Sequence, residues 1–94
     1  MTKPNAWVTL RMPTVLRLNG FAVKILLPPR EHGPPHVHVF KGGTEVVIEI
    51  GERGELCRLR EVHGMPNADV IRAFRLVEAH ADALLEKWRG FHAK

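Results

Sequence analysis

The chain has 94 residues, 45% of them hydrophobic, which is enough apolar material for one small core and one domain. Its apolar runs are too short for a transmembrane helix and its first residues contain no apolar signal-peptide core, so we expect a cytoplasmic protein. The single cysteine, Cys57, excludes an internal disulfide, and the net charge of +4 favours an anionic partner such as RNA, DNA or an acidic protein, although basic faces are often only solubilising.

The N-terminal segment differs in pattern from the rest of the chain. Residues 1–11 show no clear hydrophobic periodicity, and Met12-Pro13 resembles a second start. We therefore assign residues 1–11 to an N-terminal extension and residues 12–94 to a single domain.

The domain begins with a predicted β-hairpin. Residues 14–18 and 21–27 have strand character and are joined by Asn19-Gly20, a dipeptide that favours a two-residue turn because both residues tolerate positive φ. This turn predicts a face of paired, mainly apolar side chains: Leu18 with Phe21, Leu16 with Val23, and Thr14 with Ile25.

A second hairpin is predicted over residues 36–41 and 44–50, with Gly42-Gly43 as its turn. The resulting register puts apolar residues opposite each other on one face and mixed residues on the other. The predicted pairs are Val39 with Val46, Val37 with Ile48, Phe40 with Glu45, His38 with Val47, and His36 with Glu49. Both strands agree on which face is apolar, and this agreement supports the register.

The start of this hairpin carries the most distinctive motif, His32-Gly33-Pro34-Pro35-His36-Val37-His38-Val39. The prolines predict a stiff, extended backbone, and the period of a strand places His36 and His38 on the same face. Two such imidazoles can bind a metal, move a proton or contact an anion. A solvated strand face that happens to carry histidines explains the same spacing.

The predicted register also brings Glu49 beside His36. A carboxylate next to an imidazole orients the ring, which suits either a proton-transfer pair or a metal ligand with a supporting hydrogen bond. An ordinary cross-strand pair, worth about 0.2–1 kcal/mol, is the simpler interpretation, and both remain open at this point.

The C-terminal half predicts a fifth strand over residues 56–62 and one long helix over residues 68–89. Asn67 is a suitable N-cap, and Gly90 is expected to end the helix. An apolar stripe with steps of three and four would cover the apolar face of the sheet. We expect His80 and His92 to be surface residues.

These elements predict an α+β fold: an antiparallel β-meander of four or five strands, containing two hairpins, with one face covered by a long C-terminal helix. The other face is expected to be open unless a partner covers it. If the two hairpins join in one sheet, the residues on that face are Arg17, Lys24, His36, His38 and Glu49.

The chain also resembles a known family. The residues that carry the resemblance are Met12-Pro13-Thr14-Val15-Leu16-Arg17, Asn19-Gly20-Phe21, Glu31-His32, Pro34-Pro35-His36-Val37-His38-Val39 and Trp88. Over residues 12 to about 92 the sequence is similar to the small bacterial domain-of-unknown-function family four-one-six-zero. Members often lie beside a second small gene, and such pairs are suspected toxin–antitoxin modules. The resemblance implies a toxin-like protein with a small antitoxin-like partner, and it supplies no catalytic residues.

Two classes of function follow. In the first, an enzyme acts on RNA or another nucleic acid, with His36 or His38 moving the proton and Glu49 or Glu31 assisting. Arg17 and Lys24 would hold the phosphate, with His32 as a further substrate contact. In the second, the protein is a non-catalytic module that binds a protein partner or a second copy of itself through its sheet.

A metal site is a variant of the first class. His32, His36 and His38, or the latter two with Glu49, would supply three ligands and leave a position for water. No recognised nucleotide-binding or cysteine-based zinc motif is present, so a divalent metal is the single cofactor that the residues suggest.

Overall fold

A computed structural model describes residues 12–28, 33–52 and 55–92 of the chain. The assigned extension, residues 1–11, and the site candidates Glu31 and His32 lie outside these described residues. The elements in chain order are β1 (Thr14–Leu18), β2 (Phe21–Lys24), β3 (His36–Lys41), β4 (Thr44–Glu49), β5 (Arg58–His63), α1 (Asn67–Ala79) and α2 (Ala81–His92). The strands form one antiparallel sheet in the order β1-β2-β3-β4-β5, which confirms the predicted α+β meander.

The first hairpin turns at Asn19 and Gly20, whose φ angles of 53° and 84° are in the left-handed region that the dipeptide predicts. The predicted pairs Leu18 with Phe21 and Leu16 with Val23 are confirmed. Further along, the register shifts between Thr14 and Leu16.

That shift corrects the third predicted pair of the hairpin. Thr14 lies opposite Lys24 rather than Ile25, and the Ile25 N–H donates to the carbonyl of Pro13 at 3.2 Å. An extra residue in one strand, Val15, accounts for the difference, because it moves every later pair by one position.

The second hairpin has the predicted register throughout. Its pairs include Val39 with Val46, Val37 with Ile48, Phe40 with Glu45, His38 with Val47, and His36 with Glu49. The two hairpins join through β2 and β3, where Lys24 lies opposite His38 and Ala22 opposite Phe40. Because the two hairpins form one sheet, Arg17, Lys24 and the two histidines lie on the same face, as predicted.

The core lies between the sheet and the two helices. Alternate strand side chains are fully buried on this helix side, including Val23, Ile25, Val37, Val39, Val46 and Ile48. The helices contribute Ala73, Leu76, Val77, Leu84 and Leu85. Burying a side chain of this size contributes about 1.5–3 kcal/mol relative to exposure, so this layer supplies most of the stability of the sheet.

The helical layer consists of two helices rather than the single one expected. The helix is interrupted at His80, whose φ of −116° and ψ of 19° are not helical. Both the His80 backbone N–H and its Nδ1 bond to the carbonyl of Leu76, at 3.2 and 3.0 Å. A side chain that competes for a carbonyl of the last turn ends α1 here, which periodicity alone does not predict.

Both predicted helix ends also differ from the structure. Pro66 rather than Asn67 is the N-cap residue, and its carbonyl accepts from the N–H groups of Asp69 and Val70. At the other end α2 continues through Gly90 to His92, whose Nε2 donates to the carbonyl of Leu26 at 2.9 Å. This bond, with the stacking of His92 on Trp88 at 4.1 Å, fixes the last turn, and His92 is half-buried rather than a free surface residue.

Neither of the helices in the described residues is long and apolar enough to cross a membrane.

Gly51, just beyond β4, allows a close approach of two backbone segments. A Cβ at this position would overlap the carbonyl of Glu55 and lie 2.9 Å from the carbonyl oxygen of Leu56. We expect Gly51→Ala to lower the free energy of unfolding by about 1–3 kcal/mol, because backbone has to move to admit the methyl group. Urea-induced unfolding followed by circular dichroism measures the change.

Gly90→Ala is the matched control. Gly90 is helical and nothing lies within 4 Å of the position that a Cβ would occupy, so this substitution should raise stability by up to about 1 kcal/mol. Equal unfolding midpoints for Gly51→Ala and the wild type would show that the approach at Gly51 is not tight.

Candidate functional site

The candidate site is the sheet face opposite the helices, which we call the histidine face. Residues directly opposite each other in an antiparallel sheet share a face, so the register defines its members. They form three rows: Arg17, Ala22, Phe40 and Glu45; Lys24, His38, Val47 and Glu61; and His36, Glu49 and Arg58. The structure thus brings together five of the predicted site residues: Arg17, Lys24, His36, His38 and Glu49.

A carboxylate holds the imidazole of His38. Nδ1 of His38 lies 2.7 Å from Oε2 of Glu45. A carboxylate oxygen accepts, so Nδ1–H is the donor, and the lone pair of the neutral ring is on Nε2. This is the arrangement in which a histidine is oriented either to take a proton or to ligate a metal through Nε2.

Glu45 was not among the residues that the sequence indicated. The predicted carboxylate was Glu49, which does lie opposite His36, whereas Glu45 lies opposite Phe40 and is diagonal to His38. Diagonal neighbours in antiparallel strands are within reach of long side chains. That rule, applied to the predicted register, is the signal that identifies Glu45.

His36 is fixed by the proline motif that precedes it. Its Nδ1 lies 3.0 Å from the carbonyl oxygen of Pro34, so Nδ1–H donates and the tautomer is again defined. The His36 and His38 rings meet edge to face, with centroids 5.3 Å apart and planes at 64°. The stiff Pro34-Pro35 segment therefore positions the imidazole of His36 as well as the backbone at the start of β3.

The centre of the histidine face is buried, although we expected an open face. His36 is 2% exposed, His38 9% and Val47 4%. Buried imidazoles require satisfied nitrogens, and within the described residues every buried side-chain nitrogen or oxygen has a hydrogen-bond partner. The hydrogen bonds from Nδ1 to Pro34 and Glu45 are two of the bonds that make this burial possible.

Cationic groups border the two imidazoles. Lys24 lies directly opposite His38, and its Nζ is 5.4 Å from the centroid of the Phe40 ring, a distance typical of a cation–π contact. Arg17 is exposed one strand further out. Arg58 lies opposite Glu49 on the other side of His36. The face therefore combines acid–base groups with flanking positive charge.

A second histidine–carboxylate pair lies at the β5 side of the face. Nε2–H of His63 donates to Oε1 of Glu61 at 2.8 Å. This hydrogen bond lowers the pKa of Glu61; desolvation opposes the shift, and the charges of His63, Arg60 and His38 add to it. The sequence analysis missed this pair, although residues two apart on a strand share a face.

A cleft of about 600 Å³ adjoins the His36 end of the face. Pro34, Pro35, Glu49 and Arg58 contribute to its wall, and so does Cys57, whose thiol is free and half-buried. The motif that fixes His36 therefore also forms part of the wall of a concavity next to the site.

Among residues 12–28, 33–52 and 55–92, no group of three His, Cys, Asp or Glu side chains is arranged to hold a metal ion. The third proposed ligand, His32, lies outside those ranges, as does Glu31.

The fold and the histidine face define a small α+β domain of one particular family. Residues 20–89 match the family model described as domain of unknown function (DUF4160), and the chain belongs to that family. No curated protein and no solved structure matches the chain. What the site does must therefore be argued from its own geometry.

The lowered pKa of Glu61 generates a pH prediction. His63→Ala removes the donor, so the pKa of Glu61 should rise towards its ordinary value of 4.5. A carboxylate with a lowered folded pKa contributes stability above its unfolded pKa, and that stability is lost as the pH falls through the folded pKa. We expect His63→Ala to remove this contribution, so the variant should be less stable than the wild type above the unfolded pKa of the carboxyl, and the difference should disappear as the pH falls through the folded pKa of Glu61.

Carbon-13 NMR titration of the side-chain carboxyl measures the pKa of Glu61 directly. Arg60→Ala is the control, and its effect should be smaller, because the hydrogen bond from His63 is the largest cause of the shift. A Glu61 titration that is unchanged in His63→Ala, or that moves further in Arg60→Ala, would contradict this assignment.

Proposed function

We propose that this protein is the toxin-like component of a bacterial toxin–antitoxin-type gene pair, and that its histidine face cleaves RNA in the cytoplasm. The observation that carries the proposal is the contact of His38 with Glu45, beside Lys24. The family resemblance supports the toxin-like role, and the proposed partner is a small antitoxin-like protein.

His38 is the proposed general base. Its donor nitrogen is held by Glu45, so Nε2 is the atom that takes a proton, and the carboxylate stabilises the imidazolium that results. The His38 side chain is 11% exposed. Because little water reaches it, electrostatic interactions around this imidazole are stronger than they would be in solvent.

RNA is the proposed substrate because its cleavage requires neither a metal nor a nucleophile from the protein. The 2′-hydroxyl is a nucleophile within the substrate, so a base and flanking cations suffice without a metal. His38 removes the hydroxyl proton, the 2′-oxygen forms a bond to phosphorus, and the bond from phosphorus to the 5′-oxygen breaks. A water molecule gives a proton to the 5′-oxygen, and the hydroxide that remains takes the proton back from the His38 imidazolium, which leaves a 2′,3′-cyclic phosphate, a 5′-hydroxyl and neutral His38.

The cations of the face have a matching role in this proposal. Lys24, opposite His38, offsets the charge that develops on the phosphate, and the exposed Arg17 binds a neighbouring phosphate of the chain. His36 is 2% exposed and packs against His38, so it acts as a positioning residue. Glu49 and Arg58 line the cleft in which a nucleotide would lie. Glu31 and His32 remain predicted contributors.

The burial of the two imidazoles favours a second candidate function. Each Nδ1 is satisfied within the protein, so the pair also fits a scaffold that stiffens the sheet of a non-catalytic binding module. In that case the protein binds its partner through an exposed sheet edge, and the histidines take no part in chemistry.

The two functions differ in the effect of removing one imidazole. We expect His38→Ala to lower RNA cleavage by about 10²–10⁴-fold, the usual contribution of a general base, and to relieve growth arrest on induced expression in bacteria. Glu45→Gln should lower cleavage less, because the amide can still accept a hydrogen bond from His38 Nδ1. Cleavage of a labelled oligonucleotide, with analysis of the product ends, measures both effects.

His63→Ala is the matched control, since it removes an exposed, carboxylate-bonded histidine from the same face and should leave cleavage near the wild-type rate. Cleavage that persists in EDTA supports the metal-free reaction, whereas loss in EDTA with recovery on a divalent ion supports the metal variant. Folded wild-type protein that neither cleaves RNA nor slows growth would favour the binding module.

A further inference from the structure

Within the part of the chain that the structure describes, β5 has an unpaired outer edge. It is the last strand in the sheet order, and no strand of the described residues lies beyond it. All its residues are exposed. Leu59 and Val62 lie opposite the buried Ile48 and Val46, yet they are 50% and 43% exposed. The helices therefore cover the centre of the sheet and leave the helix side of β5 without cover.

An extra residue in β5 sets the direction of its side chains. Leu59 pairs with Ile48 and Glu61 with Val47, so Arg60 is additional. In such a bulge two successive residues oppose one partner residue. Arg60 and Glu61 consequently project to the same side, with Nε of Arg60 3.9 Å from Oε2 of Glu61. Leu59 and Val62 both point to the helix side, although they are three residues apart.

We propose that a second copy of this chain pairs with β5 in antiparallel fashion, about a two-fold axis between Arg60 and Glu61. Each residue in this register meets one that lies on the same face, and the pairs nearest the axis are complementary in polarity and charge. Leu59 meets Val62 of the second copy, Arg60 meets Glu61 of the second copy, and Arg58 meets His63 of the second copy. The arrangement joins two five-stranded sheets into one ten-stranded sheet.

The charges of β5 select this register against its neighbours. A shift of one residue in one direction places Arg60 opposite Arg60 and Leu59 opposite Glu61. A shift in the other direction places Glu61 opposite Glu61. Like charges directly opposite are destabilising, and a one-residue slip also sends side chains to the wrong face. Bulges and edge arginines discourage indiscriminate pairing, so a single self-complementary register is what this edge permits.

The surface on the helix side extends the contact beyond the strand. A groove of about 250 Å³ runs between β5 and α1, lined by Leu59, Val70, Ile71 and Phe74 with Arg75 and Glu78. Ile71 is 51% exposed. The two-fold axis is perpendicular to the sheet and puts both copies of α1 on the same side, so the two grooves adjoin.

The size of this surface fits the proposed partner. A strand of six residues is about 20 Å long, which is too little by itself for the roughly 1,200–2,000 Å² of a stable interface. The adjoining apolar grooves supply additional area. The same axis makes the two histidine faces continuous, whichever function they have.

Charge reversal tests the register. We expect the wild type to associate to twice the 10.6 kDa of one chain in sedimentation equilibrium. Arg60→Glu places carboxylates opposite each other and Glu61→Arg places guanidinium groups opposite each other, so each single variant should dissociate about tenfold more readily or worse. The double variant R60E/E61R should recover the wild-type dissociation constant, since it restores both pairs with exchanged signs.

The decisive experiment mixes the two single variants, because it tests the pairing of residues 60 and 61 directly. Both pairs between residues 60 and 61 are complementary when an R60E chain meets an E61R chain, so an equimolar mixture should dimerise more tightly than either variant does alone. Leu59→Thr with Val62→Thr keeps strand propensity and removes the apolar contact, and this variant should also dissociate more readily. Circular dichroism confirms that each variant is folded.

Three results would overturn the proposal. The first is a wild type that remains a single chain at every concentration tested. The second is a dimer that is insensitive to both charge reversals, which would place the interface elsewhere. The third is a mixture of folded R60E and E61R chains that stays monomeric.

Discussion

The register of the β3–β4 hairpin determines which face of the sheet carries His36, His38 and the carboxylates beside them. A slip of one residue would turn Val37, Val39, Val46 and Ile48 away from the helices and the histidines towards them. Burying those four side chains contributes several kcal/mol, which no alternative register of the hairpin recovers. The same hydrophobic constraint that builds the core therefore also presents His36 and His38 on the opposite face.

The hydrogen bonds of the two imidazoles satisfy the polar atoms that this register buries. A buried imidazole nitrogen without a partner destabilises the fold by about 1–3 kcal/mol, so Pro34 and Glu45 are structural requirements as well as features of the site. Because these acceptors bond to Nδ1 of each ring, the contacts that stabilise the sheet are also the ones on which the proposed role of His38 depends.

The two surfaces of interest occupy different parts of one sheet. The histidine face is centred on β3, whereas the uncovered apolar and charged edge is β5. The extra residue at Arg60 connects them, since it directs Glu61 to the histidine face and Leu59 to the helix side. β5 lies two strands away from β3 in the sheet order, so the proposed dimer and the proposed cleavage of RNA are compatible in one molecule.

Local features of the sequence determined much of this protein. The turns at Asn19-Gly20 and Gly42-Gly43, together with the alternation of apolar side chains, were sufficient for the whole register of the second hairpin and for the first hairpin as far as Leu16, but not for the extra residue at Val15. These features act over a few residues, so they can be read from neighbours in the chain. Membership of the family was predictable for the same reason, because the Pro34-Pro35-His36 motif is continuous.

Tertiary structure decided what depends on side-chain reach and on packing between distant segments. Glu45 rather than Glu49 contacts His38, because a long side chain reaches diagonally across strands. The break at His80 and the continuation of α2 to His92 follow from hydrogen bonds to Leu76 and Leu26 that periodicity does not contain. The burial of His36 and His38 was also beyond the sequence, since a strand pattern defines which face a residue is on but not what surrounds that face.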